Sequence, residues 1–207
     1  MNPIRPDRLR QSESLRVLCQ ETQLAASDFI MPIFVHSGPK TQPIEGLPGQ
    51  FHFCLEELAT YGKKIVQAGI PAVLIFGLSQ LHDSLGQESY DADGAIQQAV
   101  QVLKGCCPSL TVMTDVCLCA FTDHGHCGVT KDDGRIDHPA TLDVLQKIAV
   151  SHAKAGADFV APSGMVDHMV YAIRHGLDEQ GFHQVGVMSY ACTVSYTHLR
   201  AHETLLY

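Results

Sequence analysis

The chain has 207 residues, 45% of them hydrophobic, and a formal net charge of -8. That composition supports a packed core and argues against disorder. The acidic balance, with no basic runs, argues against nucleic-acid binding, and no apolar run reaches the ~18 residues that cross a bilayer.

The N-terminal segment MNPIRPDRLR lacks an apolar signal core, which points to a cytoplasmic protein. Residues 1–27 read as an arm, with Arg5, Arg8 and Arg10 solvated and a short polar helix from Ser12 to Cys19. Strand-type runs follow at 28–36 (DFIMPIFVH), 70–78 (IPAVLIFGL), 110–116, 158–162 and 185–190. Helical segments alternate with them at 55–68, 94–104, 139–155 and 166–180. Asp93 is the expected N-cap of the second of these helices. Pro139 suits the first turn of the third, where a missing N–H costs nothing. Ser163 or Asp167 could cap the fourth.

The strands are continuous apolar runs, the pattern of a parallel sheet covered on both faces. Repeated β–α units mean a doubly wound sheet or a barrel. Five strands are counted, and a full barrel takes about 250 residues. The expectation is an incomplete α/β (β/α)8 TIM barrel with an N-terminal arm, holding about five of eight units. Asp115, Ser163 and the stretch from Tyr190 fall at carboxyl ends of strands, where barrel active sites are built.

Eight cysteines in such a chain are expected to be reduced. Cys106 and Cys107 are adjacent near a helix end, a poor geometry for a bridge, and read as filler. The segment TDVCLCAFTDHGHCGV is different. Cys117 and Cys119 lie two apart, Cys127 follows eight later, and Gly125 and Gly128 let the backbone turn. Three thiolates can converge on a tetrahedral zinc and leave its fourth position open, as catalytic sites do. His124 and His126 could add a ligand or a supporting contact. The plainer alternative is three buried, inert cysteines.

These segments resemble one family. RPDRLRQSESLRVLCQET is similar to the arginine-rich arm of the porphobilinogen synthases (5-aminolevulinate dehydratases), and MPIFVHSG to their first barrel strand. TDVCLCAFTDHGHCG resembles the zinc form of their metal loop, AGADFVAPSGMVD their fourth strand and GVMSYA their fifth. The resemblance runs from about residue 4 to residue 192. It implies condensation of two 5-aminolevulinate molecules to porphobilinogen with loss of water, in tetrapyrrole (haem) biosynthesis. It also implies a Schiff-base lysine, zinc on Cys117, Cys119 and Cys127, active-site roles for Asp115 and Ser163, and a homo-octamer held partly by the arm. A magnesium site, where the family has one, would take ligands beyond residue 192. Gln50-Phe51-His52, Gly164, His168 and Met169 depart from the family pattern.

The family continues after MSYA with one variable residue and then the lysine; here Cys192 is followed by Thr193. Residues 194–204, VSYTHLRAHET, match the translation of a common transposase sequencing adapter. A lysine codon cut after its first base and joined to that adapter reads as threonine. Residues 193–207 are therefore expected to be a non-native tail, residues 28–192 a partial barrel, and the chain as written inactive. The competing expectations are a non-catalytic zinc-binding half-barrel and a barrel enzyme that uses its cysteines for redox chemistry.

Overall fold

The structure, a computed structural model, describes residues 4–192. The tail at 193–207 lies outside the described residues. The arm contains a 3₁₀ turn, Pro6–Arg10, and the short helix α1, Glu13–Leu18, whose Ser12 cap accepts a hydrogen bond from the Leu15 N–H at 3.2 Å. Nothing in either element is buried.

Besides two further 3₁₀ turns, Ala26–Asp28 and Gln87–Tyr90, the remaining elements are β1 (Ile30–His36), β2 (Gln42–Pro43), β3 (Phe51–Cys54), α2 (Leu55–Gln67), β4 (Ala72–Leu78), α3 (Ala95–Cys106), β5 (Thr111–Val116), α4 (His138–Ala155), β6 (Phe159–Pro162), α5 (Met169–Glu179) and β7 (Gly186–Val187). They form one sheet in the order β2-β3-β1-β4-β5-β6-β7. Every neighbouring pair is parallel except the β2–β3 hairpin pairing. The five expected strands thus appear in chain order as β1, β4, β5, β6 and β7. The departure at Gln50-Phe51-His52 opens the additional strand β3, which pairs with the carboxyl end of β1 at Phe34↔His52 and His36↔Cys54.

The sheet is an open, partial barrel, as expected of an incomplete set of βα units. Alternate residues face the helices: Ile33 and Val35 of β1, Val73 and Ile75 of β4, Val112 and Val116 of β5, and Val160 of β6 are all fully buried. They pack with Leu58, Leu103, Ile148, Ile173 and Leu177 from the helices. Of the intervening residues, Phe34, Leu74, Phe76 and Phe159 are half-buried. A closed barrel fills its interior with side chains from all its strands; in the open sheet this layer is covered less than the helix-facing one. Phe34 and Phe76 cover each other instead, stacked at 5.2 Å.

Three local expectations are corrected. Helix α3 is capped by Gly94, with no side-chain cap; the Asp93 N–H is itself held by Asp91, at 3.0 Å. Helix α5 starts at Met169, because His168 takes a left-handed conformation with φ 62°. Neither Ser163 nor Asp167 caps it. The fifth strand pairs only over two residues, Gly186 and Val187, against β6.

Candidate functional site

β5 and β6 end side by side, with Asp115 paired to Ala161 and Val116 to Pro162. Asp115 shares its face of the sheet with Met113, on the side turned away from the helices. Ser163 follows β6 directly, close enough for its side chain to act on the Asp115 carboxyl. Burial pushes the Asp115 carboxyl up to about 6, and the Ser163 hydroxyl and Val116 N–H pull in the opposite direction. No lysine contributes to that balance. Asp115 Oδ1 is buried without a hydrogen-bond partner.

The chain then leaves β5 into the cysteine loop, which its own side chains hold in shape. The Thr122 hydroxyl bonds the Leu118 and His126 carbonyls, at 3.3 and 3.1 Å. Gly125 takes φ +70°, a left-handed turn that suits glycine. Thr141 of α4, fully buried, accepts from the Val129 N–H at 3.0 Å and lies against Gly128 so closely that a Cβ there would sit 2.8 Å from its hydroxyl.

The result brings Cys117, Cys119 and Cys127 together, their Sγ atoms all within 4.8 Å of one another and the Cys117–Cys119 pair at 3.4 Å. Cys117 is 6% exposed, and the other two open to the surface. Burial raises the Cys117 and Cys119 thiols, and the mutual repulsion of the three sulfurs adds to it. A divalent cation reverses that balance by drawing off the protons. Zn–S bonds of ~2.3 Å in tetrahedral array place sulfurs roughly 3.8 Å apart, so this donor set fits zinc.

Neither His124 nor His126 joins the cluster. His124 Nδ1 accepts the His126 N–H at 3.1 Å, and the two rings lie 5.3 Å apart. The loop also meets β6: a Cβ on Gly164 would lie 3.7 Å from the Cys127 Cβ. Tyr190 lies near enough to feel the Asp115 carboxyl: burial raises its phenol, and the Asp115 charge raises it further.

One residue at this end of the sheet was not singled out in the sequence. His36, the last residue of β1, is 7% exposed; its Nδ1 accepts the Gly38 N–H at 2.9 Å and its Nε2 is buried without a partner. Its signal was its place, a histidine closing an otherwise apolar strand.

The family model for delta-aminolevulinic acid dehydratase matches residues 3–198. The chain belongs to the delta-aminolevulinic acid dehydratase family. The enzyme of that name from Halalkalibacterium halodurans is 46% identical over 185 residues, covering 89% of this chain and 56% of its own length. The Bacillus subtilis dehydratase is 42% identical over 189 residues, 91% of this chain and 58% of the relative. The one from Ruminiclostridium josui is 42% identical over 188 residues, 90% of this chain and 91% of the relative. The crystal structure of the dehydratase (porphobilinogen synthase) from Toxoplasma gondii ME49, in complex with the reaction product porphobilinogen, superposes with a TM-score of 0.88 at 34% identity, covering 94% of this chain and 56% of that one. The chain therefore spans just over half the length of most of these relatives. Among the described residues no helix is long and apolar enough to cross a membrane.

Proposed function

We propose that this chain carries the metal loop and the first acid of a zinc-dependent porphobilinogen synthase, which condenses two 5-aminolevulinate molecules to porphobilinogen with loss of water. The observation that carries the reading is the convergence of Asp115, Ser163 and three thiols at the carboxyl ends of β5 and β6.

Cys117, Cys119 and Cys127 would hold the zinc. When bound, it supplies a Lewis acid that polarises a substrate carbonyl or holds an amine. Asp115 would accept a hydrogen bond from the substrate amine through its unpartnered Oδ1. The Ser163 side chain would help hold that carboxyl ionised, and Tyr190 would stand beside it on the side of β7.

The amine nucleophile is proposed to be the lysine that Thr193 replaces. Residues 193–207 are then a tail foreign to the gene, and the chain as written makes no porphobilinogen. The arm supports self-association, to an octamer in the intact protein: Ile4, Leu9, Leu18 and Leu24 are large apolar side chains left exposed on it. The cytoplasm is the proposed location.

An independent read of the source gene across codon 193 tests this. A lysine codon followed by an open frame is expected. Threonine there and a stop after Tyr207 would overturn the synthase reading and leave a zinc-binding half-barrel.

A further inference from the structure

At the opposite end of β5 from Asp115, helix α3 finishes in two adjacent cysteines. Cys106 is its last residue and Cys107 its C-cap, with the Cys107 N–H donating to the Leu103 carbonyl at 2.8 Å. The chain bends here, Cys107 taking φ -138° and ψ 67°, and both side chains turn toward α2. Their sulfurs lie 3.5 Å apart. They pack beside Gly62 of α2, where a Cβ would sit 3.5 Å from the Cys107 Sγ and 3.9 Å from the Cys106 Sγ. The Cys106 thiol points to the Ala59 and Leu103 carbonyls, at 3.9 and 3.7 Å.

A cavity of about 270 Å³ opens beside the pair, walled by Lys63, Val66, Gln67, Pro108 and the two cysteines. Cys107 is 5% exposed, so its sulfur is reached through this cavity. Burial pushes the Cys107 thiol up, Cys106 adds to that, and the Lys63 ammonium works against both.

We propose that Cys106 and Cys107 form a second thiol site, separate from the cysteine loop, that chelates a thiophilic group of the trivalent organoarsenical class. The geometry favours a bridged ligand over a direct bond. A disulfide needs its sulfurs at ~2.05 Å, well short of the 3.5 Å between this pair. One atom placed between the sulfurs bridges that distance. With an arylarsenous acid, two S–H bonds and two As–O bonds break, two As–S bonds form, and two waters leave. Arsenic stays trivalent, so no oxidant or reductant is needed.

The test uses phenylarsine oxide on the full chain. The loop cysteines would compete, so the chain carries Cys117→Ser, Cys119→Ser and Cys127→Ser. Intact-mass analysis is done in excess monothiol, which strips arsenic from single cysteines, and then after a small dithiol. One adduct per chain is expected, resistant to the monothiol and removed by the dithiol. Adding Cys106→Ser or Cys107→Ser should weaken retention on the order of 100-fold, since the second sulfur binds intramolecularly. No resistant adduct, or one that survives both substitutions, would overturn the proposal. Should the triple variant fail to fold, the unsubstituted chain is treated, alkylated without denaturant and mapped by peptide. Arsenic on the peptide holding Cys106 and Cys107 supports the site, and alkyl groups on both cysteines refute it.

Discussion

His152 offers a quantitative test of the packing that supports the site. It lies on α4, 0% exposed, with neither ring nitrogen hydrogen-bonded. Burial lowers its imidazolium to about 3 from an ordinary 6.5, and the Ser89 backbone, which favours the proton, offsets little of this. Above pH 6.5 both folded and unfolded chains hold the ring neutral, and the group adds no pH dependence. Below it the unfolded chain takes up a proton that the folded chain refuses. Stability then falls by about 1.4 kcal/mol per pH unit until the folded ring also titrates near pH 3. Between pH 7 and pH 5 the loss is about 2 kcal/mol from this one residue. Other groups titrate too, so the His152→Leu variant provides the reference. Urea unfolding at both pH values should show the parent losing about 2 kcal/mol more than the variant. Equal losses in the two proteins would refute the claim that His152 is held dry and neutral.

Further tests address other contacts. The Asp158 carboxylate takes the Lys104 ammonium at 3.0 Å and the Val112 N–H at 2.7 Å, tying α3, β5 and β6 together. Asp158→Ala should cost about 1–2 kcal/mol in urea unfolding, mostly from the stranded N–H, because solvent screens the half-exposed ion pair. Zinc at a hundredfold excess over its dissociation constant should stabilise the chain by about 2.7 kcal/mol, reversibly with chelator. Cys117→Ser should abolish that gain, and a thermal shift that persists in the variant would contradict the three-thiol site.

The parts of the molecule legible in sequence are those fixed by local pattern. The alternation of apolar runs with amphipathic helices located five strands, and Cys117, Cys119 and Cys127 announced themselves by spacing on a glycine-bearing loop. Whether their sulfurs meet depends on Thr122 and Thr141 holding the loop closed, which spacing does not encode. Strand β3 was missed because four residues, Phe51–Cys54, gain their order from pairing with β1, a partner distant in sequence. Asp93 had the right chemistry for a cap one residue too early, and Gly94 fills the position by backbone conformation alone. The start of α5 turned on one left-handed residue, His168, a conformation rare enough for any non-glycine residue that local pattern does not announce it. Runs such as AVLIFGL are apolar on both sides, so with too few strands to close a barrel one face of the sheet is left partly bare, as the count of five strands implied.

The central claim is that Asp115 and Ser163, beside the three thiols, serve porphobilinogen formation. The direct measurement is the rate of porphobilinogen formation from 5-aminolevulinate by the product of the uninterrupted source gene, compared with its Asp115→Asn variant at matched folding and zinc content. The account predicts zinc-dependent synthesis by the parent and a fall of at least about 100-fold in kcat for the variant. Full activity in Asp115→Asn, or no porphobilinogen from the zinc-loaded parent, would contradict it.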